Sequence, residues 1–294
     1  MNDFWIILIG VLVAATCGLL GCYLILRRMA MVGDAIAHAV LPGIVIAFMI
    51  SESRDSIPML LGAAAVGLLT TFLIETLHRR GMLQIDASIG LTYTSLFALG
   101  VILTSAFTGD VDLDLDCILY GEIALAPLYT LDIGGVAMGP RAVWIVGGAL
   151  LLVLTFITLG YKELFITTFD PAYAAIIGVS VSLWHYLLMG AVSLTTVAAF
   201  ESVGAILVVA FLIAPPAAAY LLTENFKHML LYTVVLGSLA SVGGYYLAAW
   251  LDASIAGAMA LCMGLIFCAA FGVYRMRLHK ASRTIADRQL PARG

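Results

Sequence analysis

The chain is organised around the stretch Gly33-Asp34-Ala35-Ile36-Ala37-His38-Ala39-Val40-Leu41-Pro42-Gly43. It places a carboxylate and an imidazole four residues apart inside a long apolar segment. On a helix this spacing brings both side chains to one face. An ionisable side chain at membrane depth is costly, about 2.5–3.5 kcal/mol for an aspartate on insertion scales. The pair of Asp34 and His38 is therefore predicted to be a functional site.

The composition is that of a membrane protein. Of the 294 residues, 63% are hydrophobic and 11% are charged, whereas about a quarter are charged in an average soluble domain. The mean hydropathy is +1.10. Apolar runs of about 20 residues follow one another without alternating in period two, which favours helical spans over an outer-membrane barrel. The net charge of −4 excludes a generally basic nucleic-acid binder.

Nine apolar segments are long enough to cross a bilayer. They cover residues 4–26, 32–50, 58–77, 87–108, 142–160, 172–190, 194–213, 229–250 and 255–274. Basic residues cluster after the first, third, fifth and seventh segments and throughout 275–293, so the positive-inside rule places these parts in the cytoplasm and the N-terminus outside.

These segments predict an all-α polytopic membrane protein with eight or nine transmembrane helices. The transmembrane domain covers residues 1–274, and residues 275–294 form a polar, basic cytoplasmic tail. A basic tail beside a bilayer is suited to contact anionic membrane lipid.

The depth and surroundings of the Asp34 and His38 pair favour binding of a metal ion. Counted from Arg28 at about 1.5 Å per residue, the two side chains lie about 9 and 15 Å into a core about 30 Å thick. Pro42 has no N–H, so we expect a bend that exposes the His38 carbonyl. A carboxylate, an imidazole and a carbonyl suit Mn²⁺, Fe²⁺ or Zn²⁺. The same spacing also fits a pair that only joins two helices.

The stretch from Arg27 to Gly43 resembles the signature segment of the manganese/zinc/iron permease family of ABC importers. Further stretches agree with that family in the expected order along nearly the whole chain. They are Asp86-Ala87-Ser88-Ile89-Gly90, Tyr161-Lys162-Glu163-Leu164 with Phe169-Asp170-Pro171, and Glu201-Ser202-Val203-Gly204-Ala205-Ile206-Leu207 with Ala214-Pro215-Pro216-Ala217.

The resemblance implies the membrane permease subunit of an importer, with Asp34 and His38 contacting the metal. It implies a second permease copy in a homodimer or heterodimer, a cytoplasmic ATP-binding subunit and an extracytoplasmic metal-binding protein. A two-fold axis beside the Asp34 and His38 helix would complete a site of four ligands. No permanently bound cofactor is expected, and no nucleic acid. The Leu41-Pro42-Gly43 ending resembles manganese-type members. The expected location is the bacterial plasma (inner) membrane.

A second constellation follows the seventh apolar segment. Pro216 suits the first position of a short helix, alanines continue it and Asn225 can end it, so we predict a short cytoplasmic helix there, with an ordinary turn as the alternative. By resemblance it couples the permease to the ATPase through Pro215, Pro216, Ala217, Tyr220 and Glu224. The sequence contains no G-x-x-x-x-G-K-[ST] motif, so ATP hydrolysis is expected in a separate chain and this subunit is not itself an enzyme.

Other polar residues have weaker patterns. Glu201 lies about seven residues inside its predicted segment, where it could line the cation path or bond to a neighbouring helix. His185, next to two aromatic residues, is interpreted as part of an interfacial belt. A predicted extracytoplasmic acidic mouth would concentrate cations, dock the binding protein or simply be solvated. It consists of Asp110, Asp112, Asp114 and Asp116.

Two other functions remain open from the residues. One is a secondary transporter or cation channel that uses Asp34 and His38 as a proton or metal relay. The other is a purely structural membrane subunit. If the pair binds metal, uptake falls as the pH drops through the pKa of the histidine, because the metal needs a neutral imidazole.

Overall fold

The computed structural model describes residues 2–51, 56–107, 123–133 and 136–289. Most of the described chain is helical. The helices are α1 (Asn2–Leu26), α2 (Val32–Ala39), α3 (Leu41–Ser51), α4 (Ser56–Arg80), α5 (Ile85–Phe107), α6 (Arg141–Leu159), α7 (Tyr161–Phe169), α8 (Pro171–Ile176), α9 (Val181–Val203), α10 (Ala205–Leu222), α11 (Phe226–Leu251) and α12 (Ile255–Gln289).

Between α5 and α6 the described chain forms a 3₁₀ turn, Ala126–Leu128, and two antiparallel strands. The strands are β1 (Thr130–Ile133) and β2 (Val136–Pro140). Their register pairs Thr130 with Pro140, Asp132 with Ala137 and Ile133 with Val136. The predicted acidic mouth, Asp110 to Asp116, lies outside the described residues, so it stays a prediction.

Nine helical segments in the described ranges are long and apolar enough to cross a membrane. They are Asp3–Leu26, Val32–Ser51, Leu61–Arg80, Ile85–Ala106, Arg141–Leu159, Val181–Phe200, Ala205–Leu222, Phe226–Leu251 and Ile255–His279. The predicted all-α fold and the upper count of nine are confirmed, and the chain is a multi-pass membrane protein. α12 continues through the predicted start of the tail at Arg275 as far as Gln289.

The predicted bounds of the sixth and seventh spans, 172–190 and 194–213, are wrong. The sixth span is α9 and the seventh is α10, and they meet at Gly204. This glycine has a φ of 79°, a conformation that side chains other than glycine rarely adopt. The region of the predicted turn instead lies inside α9, where Ser193 is fully buried and contacts α4. Only Glu201 and Ser202 interrupt the apolar residues on the two sides of Gly204, so hydropathy alone does not separate the two spans.

The prediction that Pro216 begins a separate helix is also wrong. Pro215 and Pro216 lie inside α10 and are buried. Each proline removes the backbone bond to the carbonyl four residues earlier. One of these carbonyls, at Leu212, lies so close to Gly21 of α1 that a Cβ there would overlap it. A proline is tolerated within a membrane helix when a neighbouring helix packs closely on the freed backbone group, and α1 does so here.

A short helix does occur at the same end of the bundle, in a different connection. α7 and α8 follow the fifth span, and Asp170 caps α8 by accepting a hydrogen bond from the Tyr173 N–H at 2.9 Å. Pro171 occupies the first turn of α8, the position that proline favours. We call this end of the bundle the basic end, because it carries Arg27, Arg28, Arg79, Arg80, Lys162 and Lys227.

Candidate functional site

Asp34 and His38 lie on one face of α2, as their spacing predicts. The His38 Nε2 is 3.5 Å from the Asp34 Oδ1, and the two side chains are 34% and 31% exposed. They are therefore within ion-pair distance of each other but partly open to one side of the chain. A carboxylate and an imidazole in this arrangement could ligate a first-row divalent cation together.

The helix α5 covers part of this face. The His38 ring centroid lies 6.0 Å from that of Tyr93 and 6.2 Å from that of Phe97. Both aromatic residues are near the middle of α5. His38 therefore lies beside the middle of α5.

The other faces of α2 are packed against neighbouring helices. Ile36 is fully buried, and its side chain lies beside Gly67 of α4. Gly33 lies against the Leu212 side chain of α10, where a Cβ would overlap it. Between membrane helices such close packing supplies the attraction, because lipid removes most of the hydrophobic driving force. The α2 backbone that carries Asp34 and His38 is thus held on three sides.

The backbone opens just beyond His38. α2 ends with the Val40 N–H donating to Ile36, and the next bond has the Gly43 N–H donating to Val40 at 2.9 Å. Pro42 has no N–H, and no backbone group of the described residues donates to the His38 carbonyl. In a helix a carbonyl points toward the residue four positions later. The His38 carbonyl oxygen therefore lies on the same helix face as His38 and Pro42.

A single chain brings few side chains together that could ligate a metal ion. Within the described residues, no cluster of three or more His, Cys, Asp or Glu side chains is placed to hold a metal ion. Glu201 lies at the third position from the end of α9, not seven residues inside a span. Its neighbour Phe200 packs against Ala37, so its backbone runs near α2, but its side chain is outside the described part of the structure.

The structure reveals an ionisable cluster that sequence reasoning missed. Glu75 of α4 and His185 of α9 are only 6% and 8% exposed. The His185 Nε2 lies 3.3 Å from a Glu75 oxygen, without the geometry of a hydrogen bond. Arg79, one turn further along α4, pairs with the other Glu75 oxygen. His185 therefore belongs to a buried link between α4 and α9 and not to an interfacial belt.

The predicted coupling residues are dispersed. Pro215, Pro216 and Ala217 lie inside α10, with both prolines buried, whereas Tyr220 is exposed near its end. Glu224 is exposed at the basic end. It helps to line a cleft of about 580 Å³ with residues of α7 and α11, which are Tyr161, Phe165, Phe169, Phe226 and Lys227.

The chain is similar to known transport proteins along nearly its whole length. It is 52% identical over 269 residues to the manganese transport system membrane protein MntD of Bacillus subtilis (strain 168), covering 92% of this chain and 91% of that protein. It is 44% identical over 262 residues to the zinc transport system membrane protein TroD of Treponema pallidum (strain Nichols), covering 89% and 71% of the two chains.

A solved structure shares the fold. A chain in the structure described as PsaBC from Streptococcus pneumoniae in complex with Fab matches with a TM-score of 0.75 and 32% identity, over 91% of this chain and 90% of that one. The model of the ABC 3 transport family covers residues 3–274, which include α1 from its second residue, all of α2 to α11 and the apolar part of α12. The chain therefore belongs to the ABC 3 transport family.

Proposed function

We propose that this protein is the permease subunit of an ATP-driven importer of divalent transition-metal ions in the bacterial plasma membrane, with manganese as its preferred ion. The observation that carries the proposal is the partly open pair of Asp34 and His38 near mid-span, in a chain otherwise so poor in charge. Iron and zinc satisfy the same ligand set, and manganese is favoured by the relative named a manganese transport system protein.

The site is completed by a second permease copy. Two ligands of the described chain leave a first-row cation undercoordinated, and the open side of the pair gives a partner room to approach. Two copies related by a two-fold axis supply two carboxylates and two imidazoles. Glu201 remains a candidate for the cation path because its backbone runs near α2.

The ion moves by alternating access. An extracytoplasmic metal-binding protein delivers it at the end opposite the basic end, where the acidic mouth is proposed to attract it. The Asp34 and His38 site then holds the ion near mid-span. Closure of the cytoplasmic ATP-binding subunits reorients the helices and opens the site toward the basic end.

The ATPase contacts α7 and α8, with Glu224 beside them, and not a helix beginning at Pro216. Large apolar side chains of α8 face outward at this aqueous end, with Ile176 82% exposed and Tyr173 53% exposed. Exposed apolar groups of this kind mark interaction sites when they cluster. Both short helices are therefore suited to lie in a groove on the ATPase.

Replacing Ile176 with aspartate is expected to weaken ATPase binding, because a charge would be desolvated at the centre of this contact. We expect a loss of about 2 kcal/mol, roughly 30-fold in affinity, measured by titrating ATPase onto permease in nanodiscs. Met82→Asp is the matched control, since Met82 is 90% exposed at the basic end in another connection. Equal weakening by both substitutions would remove α8 from the ATPase contact.

The function is tested by transport in proteoliposomes that contain the purified complex with its ATPase. We expect uptake of radioactive manganese that requires ATP and continues when the membrane potential is held constant. Competition with iron and zinc then ranks the ions. Uptake without ATP that follows the membrane potential or a proton gradient would instead support the secondary transporter.

Replacing Pro42 with alanine is expected to weaken manganese binding. The alanine N–H can donate to the His38 carbonyl, which withdraws that oxygen from the ion and straightens the junction of α2 and α3. We expect affinity to fall about 10-fold or more, the range for losing a supporting group around a metal ligand. Equilibrium binding in detergent measures it, with Pro58→Ala as the control because Pro58 lies in the first turns of α4. Unchanged affinity in Pro42→Ala would remove the carbonyl from the site.

A further inference from the structure

The corner between α1 and α2 has a defined backbone geometry. Arg28 has a φ of 58°, so it follows the end of α1 in a left-handed conformation. The Arg28 N–H donates to Ile25 and the Met29 N–H donates to Leu24. This is the double bond pattern of a Schellman motif, in which glycine is the usual left-handed residue. The corner therefore has a fixed shape and holds a residue other than glycine in a strained conformation.

The residue before this corner is tied to the basic-end helix α7. The Arg27 Nε donates to the Thr168 Oγ1 at 3.1 Å, and its Nη2 donates to the Thr167 Oγ1 at 3.0 Å. Both threonine hydroxyls in turn donate to backbone carbonyls of α7, which fixes their orientation. Burial lowers the pKa of the Arg27 guanidinium, but an arginine in a protein keeps its charge.

The helix beyond the corner is short and bounded on both sides. α2 has 8 residues, from Val32 to Ala39. The Schellman corner precedes it, and the interruption at Val40, before Pro42, follows it. A rigid segment between two breaks in helical bonding can tilt as a unit when one end is displaced. The segment that would tilt here carries Asp34 and His38.

The hydrogen bonds from Arg27 to Thr167 and Thr168 are separate from the aromatic packing that holds α7 in place. Phe165 and Phe169 of α7 lie within 5.8 and 6.0 Å of the Phe226 ring of α11. Phe226 also contacts Tyr23 of α1, with ring centroids 5.1 Å apart. These ring contacts of α7 do not use the hydroxyls of Thr167 and Thr168. Loss of the two threonine bonds should therefore leave α7 docked.

We propose that Arg27 transmits movement of α7 to the metal-binding helix α2, through its bonds to Thr167 and Thr168 and the rigid corner at Arg28. Arg27 is a positioning residue that touches neither the ion nor ATP. The proposal rests on the proposed function, since the movement of α7 comes from the ATPase that contacts α7 and α8. The proposal identifies Arg27 as the residue through which that movement reaches the Asp34 and His38 site.

The test compares uptake with ATP hydrolysis in the full complex. Thr167→Val/Thr168→Val keeps the side-chain volume and removes both acceptors, and Arg27→Gln replaces the guanidinium with a shorter amide that cannot reproduce its two bonds. We expect manganese uptake to fall about tenfold in each, within the usual range of coupling between sites. In Arg27→Gln, ATP hydrolysis, ATPase binding and manganese affinity should stay at the wild-type level, because α7 stays docked and Arg27 touches neither the ion nor ATP. A merely structural role would lower all four together.

Matched controls and a combined variant complete the test. Thr155→Val/Thr158→Val makes the same change on α6, where both exposed hydroxyls bond only to their own helix, and uptake should be normal. Combining Arg27→Gln with the valine pair should lower uptake no further than either change alone. Coupled transport in the variants, or additive losses, would overturn this inference alone. A wild-type complex without ATP-dependent uptake would overturn the proposed function and this inference with it.

Discussion

Alanine at position 34 or 38 is expected to reduce manganese uptake to the level of vesicles without protein. Each substitution removes one of the two side-chain ligands proposed for this chain, and in a two-fold complex it removes the equivalent ligand of the partner as well. The His38 Nε2 and the Asp34 Oδ1 are 3.5 Å apart, so a small cation can contact both. The measurement is radioactive manganese uptake with ATP supplied, together with equilibrium manganese binding in detergent.

The same substitutions should leave the fold intact. Both side chains are about one-third exposed, so their truncation leaves no large cavity in the core. Insertion and thermal unfolding should therefore match the wild type. Ser95→Ala on α5 is the control, since this exposed hydroxyl bonds only to its own helix. Its uptake should be unchanged.

Asp34→Asn separates the metal site from a structural pair. Asparagine keeps the shape and can still hydrogen-bond His38, but it lacks the charge that a divalent cation requires. We expect uptake to be lost as completely as in the alanine variant. Near-normal uptake by any of these three variants would disprove the site, and normal uptake by Asp34→Asn alone would support a structural subunit.

Some of the molecule could be predicted because it depends on composition and spacing. The length of the apolar segments sets the number of spans, and the four-residue spacing sets the common face of Asp34 and His38. The missing helical hydrogen bond at the His38 carbonyl also follows from one residue, because Pro42 has no backbone N–H to donate. These features depend on residues close together in the sequence, so the sequence predicts them.

Other features depend on tertiary contacts that the sequence does not state. The turn at Gly204 lies between two apolar segments that only Glu201 and Ser202 separate, so hydropathy does not locate it. Pro216 suits a helix start, yet it lies inside α10 because Gly21 of α1 lets the two backbones pack closely. As a result of both errors, the short helix was predicted after the seventh span, whereas α7 and α8 follow the fifth. The motif from Tyr161 to Pro171 does contain a signal for a short helix, a capping aspartate before a proline.

The link between Glu75 and His185 was missed for a similar reason. The two residues are far apart in sequence and come together only because α4 and α9 pack against each other. One signal was present: Glu75 is an acid inside an apolar segment, four residues before Arg79, which is the spacing of a helical ion pair. An acid within a membrane span is costly, so the position of Glu75 indicates a functional or structural role just as that of Asp34 does.

Removing both partners of Glu75 is expected to destabilise the protein strongly. In Arg79→Gln/His185→Leu, the carboxylate remains only 6% exposed but loses the arginine that compensates its charge and the imidazole beside it. Breaking a buried pair in this way costs about 3–5 kcal/mol. Each single change should cost less, because Glu75 keeps one partner. Thermal unfolding in detergent measures the order, and Arg80→Gln, an exposed arginine at the same end, should change stability by less than about 0.5 kcal/mol.

Adding Glu75→Leu to the double variant is expected to restore most of the lost stability. The third substitution removes the uncompensated charge, and apolar side chains of similar volume often replace a buried ionic cluster at little cost. A triple variant less stable than the double would show that Glu75 stabilises the bundle without its partners. Because the triple variant should fold and insert, its manganese uptake then distinguishes two roles. Normal uptake means that the cluster only joins α4 to α9, and lost uptake means that transport needs the ionisable groups themselves.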